Sequence, residues 1–160
     1  MPNVILLQSK RMAFISLNSN LSGESIQLTP ISVGKSHGEF ELSINGQHWD
    51  GDHEHSIRLT SESILLSCDR LRELVTRLHD WLNAIDGGRL PFTGEFALTD
   101  DAAHVELVLV FADRPDTISS DDKPVVTAHF RIGRLIGESS FVTDQSCLSL
   151  FADEIGRTLT

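Results

Sequence analysis

Apolar residues recur with two different periods along this chain. From about Ser67 to Ile85, Leu71, Leu74, Val75, Leu78 and Leu82 repeat at helical spacing, with Arg70, Glu73, Arg77 and Asp80 on the opposite side. Such a stripe predicts an amphipathic helix. Ser67 is placed to cap it, and Gly87 and Gly88 to end it. A second stripe, Leu148, Phe151, Ile155 and Leu159, predicts another helix from about Asp144 to Leu159, with Asp144 as the cap. Elsewhere the period is two, the signature of strands. Val105, Leu107, Leu109 and Phe111 alternate with residues that are themselves apolar at Val108 and Val110, which predicts a central strand. Val126, Ala128, Phe130 and Ile132 alternate with Thr127, His129 and Arg131, which predicts one wet face. Phe40, Leu42 and Ile44 form a strand expected to end at the Asn45-Gly46 turn dipeptide, with Ile57 and Leu59 resuming after a polar excursion. Ala13 to Leu17 and Ser25 to Val33 read as strands, with Pro30 marking an edge or bulge. Phe92, Phe96 and Leu98 open another after Pro91, and Arg114 to Pro124 reads as a polar loop.

These elements predict an α+β fold: antiparallel sheet with two amphipathic helices packed on it, in a single domain spanning residues 1–160. Aligning the two helices brings Leu71 onto Leu148, Leu74 onto Phe151, Leu78 onto Ile155, Leu82 onto Leu159 and Ser67 onto Asp144. Any two amphipathic helices can be aligned in this way, so two readings stay open: coincidence, or pseudo-repeated halves at 1–88 and 89–160. The expected core is Leu71, Leu74, Leu78, Leu82, Phe96, Leu107, Leu109, Phe111, Phe130, Phe151 and Ile155.

Composition narrows the function. The 160 residues carry a formal charge of −10. That balance argues against nucleic acid or an anionic membrane as partner and favours a basic one. The Val4 to Leu7 run is too short for a membrane span or a signal-peptide core, so a cytoplasmic location is expected. Cys68 and Cys147 fit a reducing compartment and lie in no zinc-type spacing. Either thiol near a helix N-terminus could be a nucleophile, although a buried structural cysteine is the commoner case.

Gly34-Lys35-Ser36 resembles the end of a phosphate loop, but Thr29 stands where that loop requires glycine. No dinucleotide fingerprint or nucleophile elbow is present. The densest polar cluster is His48-Trp49-Asp50-Gly51-Asp52-His53-Glu54-His55. Its imidazoles and carboxylates suit a divalent metal, and a metal-dependent hydrolase using His48, Asp50, Asp52, His53 and His55 is one alternative. Asp50-Gly51-Asp52 is equally a turn sequence, and no metal site or cofactor is assigned. Trp49 reads either as cover for the core edge or as an anchor for a partner. Between Glu95 and Asp122 stand eight acids against one base, Arg114. Such a run is commonly a solvated edge, and its sharper reading is an electrostatic landing surface for a basic protein.

The order of segments resembles the WapI-type immunity proteins, small proteins of bacterial contact-dependent toxin systems. The resemblance is carried by Glu39-Phe40-Glu41-Leu42-Ser43-Ile44, then Trp49-Asp50, then Ile57-Arg58-Leu59. It continues through the leucine-rich stretch Leu71 to Leu82, Phe92 to Leu98, Val105 to Phe111, Val125 to Ile132 and the closing helix at Leu148 to Leu159. It spans about Ser25 to Leu159, and no catalytic residue transfers with it. The resemblance implies a non-catalytic protein that neutralises a toxin by covering it. Many such toxins are nucleases with basic clefts. Trp49, Asp100, Asp101, Glu106, Asp113 and Asp116 are then the expected contact residues. A homodimeric scaffold acting through an exposed sheet edge is the remaining alternative.

Overall fold

A computed structural model describes residues 15–86, 93–113 and 124–160. Its elements run β1 (Ile15–Asn18), β2 (Ser25–Val33), β3 (His37–Asp50), β4 (His53–Ser67), α1 (Cys68–Asp86), β5 (Thr93–Asp100), β6 (Val105–Asp113), β7 (Pro124–Ile132), β8 (Leu135–Val142) and α2 (Gln145–Thr158). The strands form two antiparallel four-stranded sheets, ordered β1-β2-β3-β4 and β5-β6-β7-β8. The fold is α+β with strand in the majority, and each half runs four strands and then a helix.

Both helices start where a side chain can satisfy free amides. Ser67 Oγ accepts from Arg70 N at 3.2 Å, and Asp144 Oδ1 accepts from Cys147 N at 2.8 Å. Leu71, Leu74, Leu78 and Trp81 bury one stripe of α1, and Leu148, Phe151, Ala152 and Ile155 bury one stripe of α2. Leu82, expected in the core, is only half-buried. Trp81 takes its place, because a 3-4-3 spacing from Leu71 reaches residue 81 before 82.

Each helix reaches into the other half. Arg70 of α1 lies over the Phe96 ring at 4.0 Å and donates to Ala97 O at 3.0 Å. Trp81 stands 4.0 Å from Phe111, ring centre to ring centre, and covers Gly94. In return, α2 packs along β1, where Glu154 Oε2 accepts from Ser16 N at 2.9 Å. The two helices also pack against each other, and one contiguous apolar core includes residues of both sheets.

Strand predictions hold for Ser25–Val33, Val105–Phe111 and Val126–Ile132. β6 is central, and β2 shifts register at Pro30, where proline removes a ladder hydrogen bond. The predicted turn at Asn45-Gly46 does not form. β3 continues through it to Asp50, pairing Asn45 with Arg58 and Gly46 with Ile57. Asn45 Nδ2 donates to Ser25 Oγ at 2.9 Å, a cross-strand bond in place of a local turn bond. The turn falls at Gly51-Asp52, with Gly51 at φ +60°. The expectations for Val4 to Leu7, Ala13, Gly87 and Gly88, Phe92 and residues 114–123 lie outside the described residues.

Candidate functional site

β3 and β4 run past the rest of their sheet as a two-stranded arm. Beyond the last β2 pair, Ser25 with Asn45, the arm extends through Gln47 and Ser56 to the tip. Its inner face carries Ile44 opposite Leu59, then Ile57 opposite Gly46, which has no side chain to cover it. Ile57 is consequently 61% exposed. Across from this face stands β8. Phe130 folds its ring over Gly137, where a β-carbon would collide with it. Between arm and β8 opens a cleft of about 380 Å³. Ile44, Ile57, Leu59 and Phe130 supply its apolar lining, and Gln47, Ser139 and Ser140 are among its polar residues. Among the described residues, the ionisable side chains that line it are Glu24 and Glu138, both acidic. Gln47 Oε1 accepts from Gly23 N at 2.9 Å and ties the β1–β2 loop to the arm. Apolar floors with a few polar groups at the margin are the usual make-up of binding clefts.

Of the acids expected to form one landing surface, Asp100, Asp101 and Glu106 adjoin the β5–β6 turn, and Asp113 ends β6 at the other end. Asp100 ends β5 and works inside the fold: its Oδ2 accepts from Leu65 N at 2.7 Å and its Oδ1 from Ala103 N at 3.2 Å. Asp101 is exposed in the β5–β6 turn. Glu106 is paired to Arg131 at 2.9 Å, so β7 supplies a base from outside the acidic stretch. Asp113 lies at the far end of β6, eight strand steps from Val105, or about 27 Å at ~3.4 Å per residue. Its side chain and all of Asp116 lie outside what is described. The outer face of the second sheet is therefore mixed: Glu95, Glu106 and Glu138 share it with His129 and Arg131. His129 Nδ1 approaches Glu138 Oε2 at 3.2 Å. A sequence window counts charges along the chain, whereas antiparallel pairing sets them against neighbours from elsewhere.

Trp49 stands on β3 opposite Glu54, next to the residue that begins the turn. Register sets His48 opposite His55 and Asp50 opposite His53. Asp50, Asp52, His53 and His55 are exposed. Among the described residues no three His, Cys, Asp or Glu side chains gather closely enough to hold a metal ion.

The chain matches no protein-family model, no curated protein and no solved structure. Function therefore rests on the geometry.

The thiols divide. Cys68 is fully buried at the start of α1, with Sγ 3.6 Å from Gly34 O. Cys147 is half-buried in the first turn of α2. Burial pushes its pKa up, and Asp144 beside it pushes the same way. The activation expected of a helix N-terminus is thus outweighed at Cys147. Among the described residues, no helix is long and apolar enough to cross a membrane.

The cleft was not visible in the sequence. β8 is nearly featureless there: Leu135-Ile136-Gly137-Glu138-Ser139-Ser140 alternates only weakly. The available hint was Ile57, an apolar residue in a polar stretch.

Proposed function

We propose that this chain is a non-catalytic binding protein for a basic protein partner, acting as an immunity protein acts, by covering the partner's working surface. The observation that carries the reading is the cleft between the arm and β8, apolar in its floor and, among the described residues, with Glu24 and Glu138 as its ionisable lining. A net charge of −10 adds long-range attraction toward a positive surface and speeds encounter. The helices bury their apolar stripes, so the arm, the cleft and the outer faces are left for the partner. Asp101 and Trp49 stand at two separate turns, so they contribute to a large interface rather than to one pocket. The cytoplasm, where a toxin of this class acts, is the proposed site of action.

The test is copurification from source cells after mild cross-linking, at low and at high salt. A basic protein should be retained at low salt and released as salt rises. Co-expression with that protein should then restore the growth of cells it poisons. Failure to retain any basic protein at any salt would overturn the reading. Retention without growth rescue would leave binding and remove immunity.

A further inference from the structure

The sheet edges of this molecule are treated unequally. The β1 edge is met by α2, where Ser16 N is bound by Glu154. At the β4–β5 junction the Asp100 carboxylate takes up Leu65 N. β8 is the outer strand of its sheet, and at its end Val142 O accepts from Asn20 N at 3.2 Å. From Leu135 to Phe141, among the described residues, no main-chain partner occupies its outward edge. Seven consecutive positions of open ladder is the length of an ordinary strand. Natural proteins usually blunt such an edge with lysine, proline or a bulge. β8 has none of these between Leu135 and Phe141, and its pairing with β7 is unbroken.

The open edge borders the cleft just described. We infer that β8 receives an extended, lysine- or arginine-bearing segment of the partner protein as an added strand, seated between β8 and the β3–β4 arm. The inference rests on the binding reading above and specifies its chemistry. Main-chain hydrogen bonds to β8 supply affinity, and alternate side chains supply selectivity. Side chains on the inner face meet Ile57, Leu59 and Phe130, so apolar residues fit there. Those on the other face meet Glu138, whose carboxylate also lies 3.2 Å from His129, and Glu24 lines the cleft too, so basic residues fit beside these two acids. A second copy pairing β8 to β8 would bring Glu138 toward its own equivalent, like against like. Charge thus favours a basic segment over self-association.

The test uses the full chain and a fluorescent peptide of about seven residues alternating lysine and valine, a length suited to strand addition. A matched peptide carries N-methyl groups on alternate residues. It keeps every side chain and charge but cannot complete the ladder. Anisotropy should rise with the first peptide, and the second should bind at least about tenfold more weakly, the effect of one or two lost hydrogen bonds. The E24Q/E138Q variant should weaken the first peptide about fivefold, the scale of two partly exposed charge contacts. Hydrogen exchange should show new protection confined to Leu135–Phe141. Equal binding of both peptides would overturn strand addition and leave the acidic binding reading intact. Binding of neither, while the copurified basic protein still binds, would overturn the cleft as the seat. A dimer by light scattering that dissociates when the peptide is added would assign the edge to a second copy and overturn the basic segment.

Discussion

Trp81 and Gly94 give the sharpest test of how the two halves are joined. A Cβ on residue 94 would fall within 2.6 Å of the Trp81 indole nitrogen, well inside contact distance. The ring cannot step aside cheaply, because Trp81 is 3% exposed and Phe111 lies against it. Gly94→Ala should therefore cost about 2 kcal/mol, the usual penalty for one methyl group too many in a packed site. Trp81→Ala removes an aromatic side chain that buries roughly 200 Å². At ~25 cal/mol per Å² that is about 5 kcal/mol, an upper bound because unfolded chains already bury some of this surface. A loss of about 4 kcal/mol agrees with large-to-small substitutions in cores. The two changes should not add. In the Trp81→Ala background the methyl group introduced by Gly94→Ala enters the vacated space, so the double variant should be no less stable than Trp81→Ala alone. The coupling energy of the cycle is then about 2 kcal/mol. Urea unfolding followed by far-ultraviolet circular dichroism measures all four proteins on one scale. Additive losses, or a Gly94→Ala variant as stable as the parent, would refute the claim that indole and glycine share one space.

Other outcomes follow from single contacts. Asp100→Ala should lose about 2 kcal/mol of stability, since two amides lose a charged acceptor, while Asp101→Ala should stay within about 0.5 kcal/mol, both read from urea midpoints. Asp144→Ala should cost about 1 kcal/mol through loss of the α2 cap. Asp144→Asn removes a negative charge that raises the Cys147 pKa, so the thiolate should form at lower pH and alkylation by iodoacetamide should quicken at any given mildly alkaline pH. In the parent protein that rate should climb only as pH passes the ordinary thiol range; a midpoint below that range would contradict the burial argument. Gly51→Ala should cost about 1 kcal/mol because its φ is positive, and Gly51→Asn should cost less, checked by thermal melting.

The helices were legible because periodicity and caps agree there: Ser67 and Asp144 start both, and every expected core residue except Leu82 is buried. Strands with strict alternation, such as Val126 to Ile132, were legible for the same reason. Asn45-Gly46 misled because a turn dipeptide states only what the backbone can do locally. A fourteen-residue strand paired along its length overrides it. β8 was hidden because its apolar residues, Leu135, Ile136, Phe141 and Val142, sit as adjacent pairs at its two ends without alternation, and of them only Phe141 is buried. The binding cleft depends on both of these elements, the arm that ran longer than expected and the strand that went unread. The acidic stretch was visible in composition, but Glu106 acquires Arg131 and Asp100 acquires Leu65 N only through tertiary pairing.

The seam between β1 and α2 has a consequence for how the molecule forms. Ser16 and Glu154 are 138 residues apart, and Thr143 Oγ1 closes on Asn18 O across 125. Contacts of such long range slow folding, because much chain must be ordered before they form. On the ribosome, the first sheet emerges without its α2 cover on β1 until that helix has followed. During that interval the nascent protein is open to pairing with neighbours, and chaperone dependence should be greatest there.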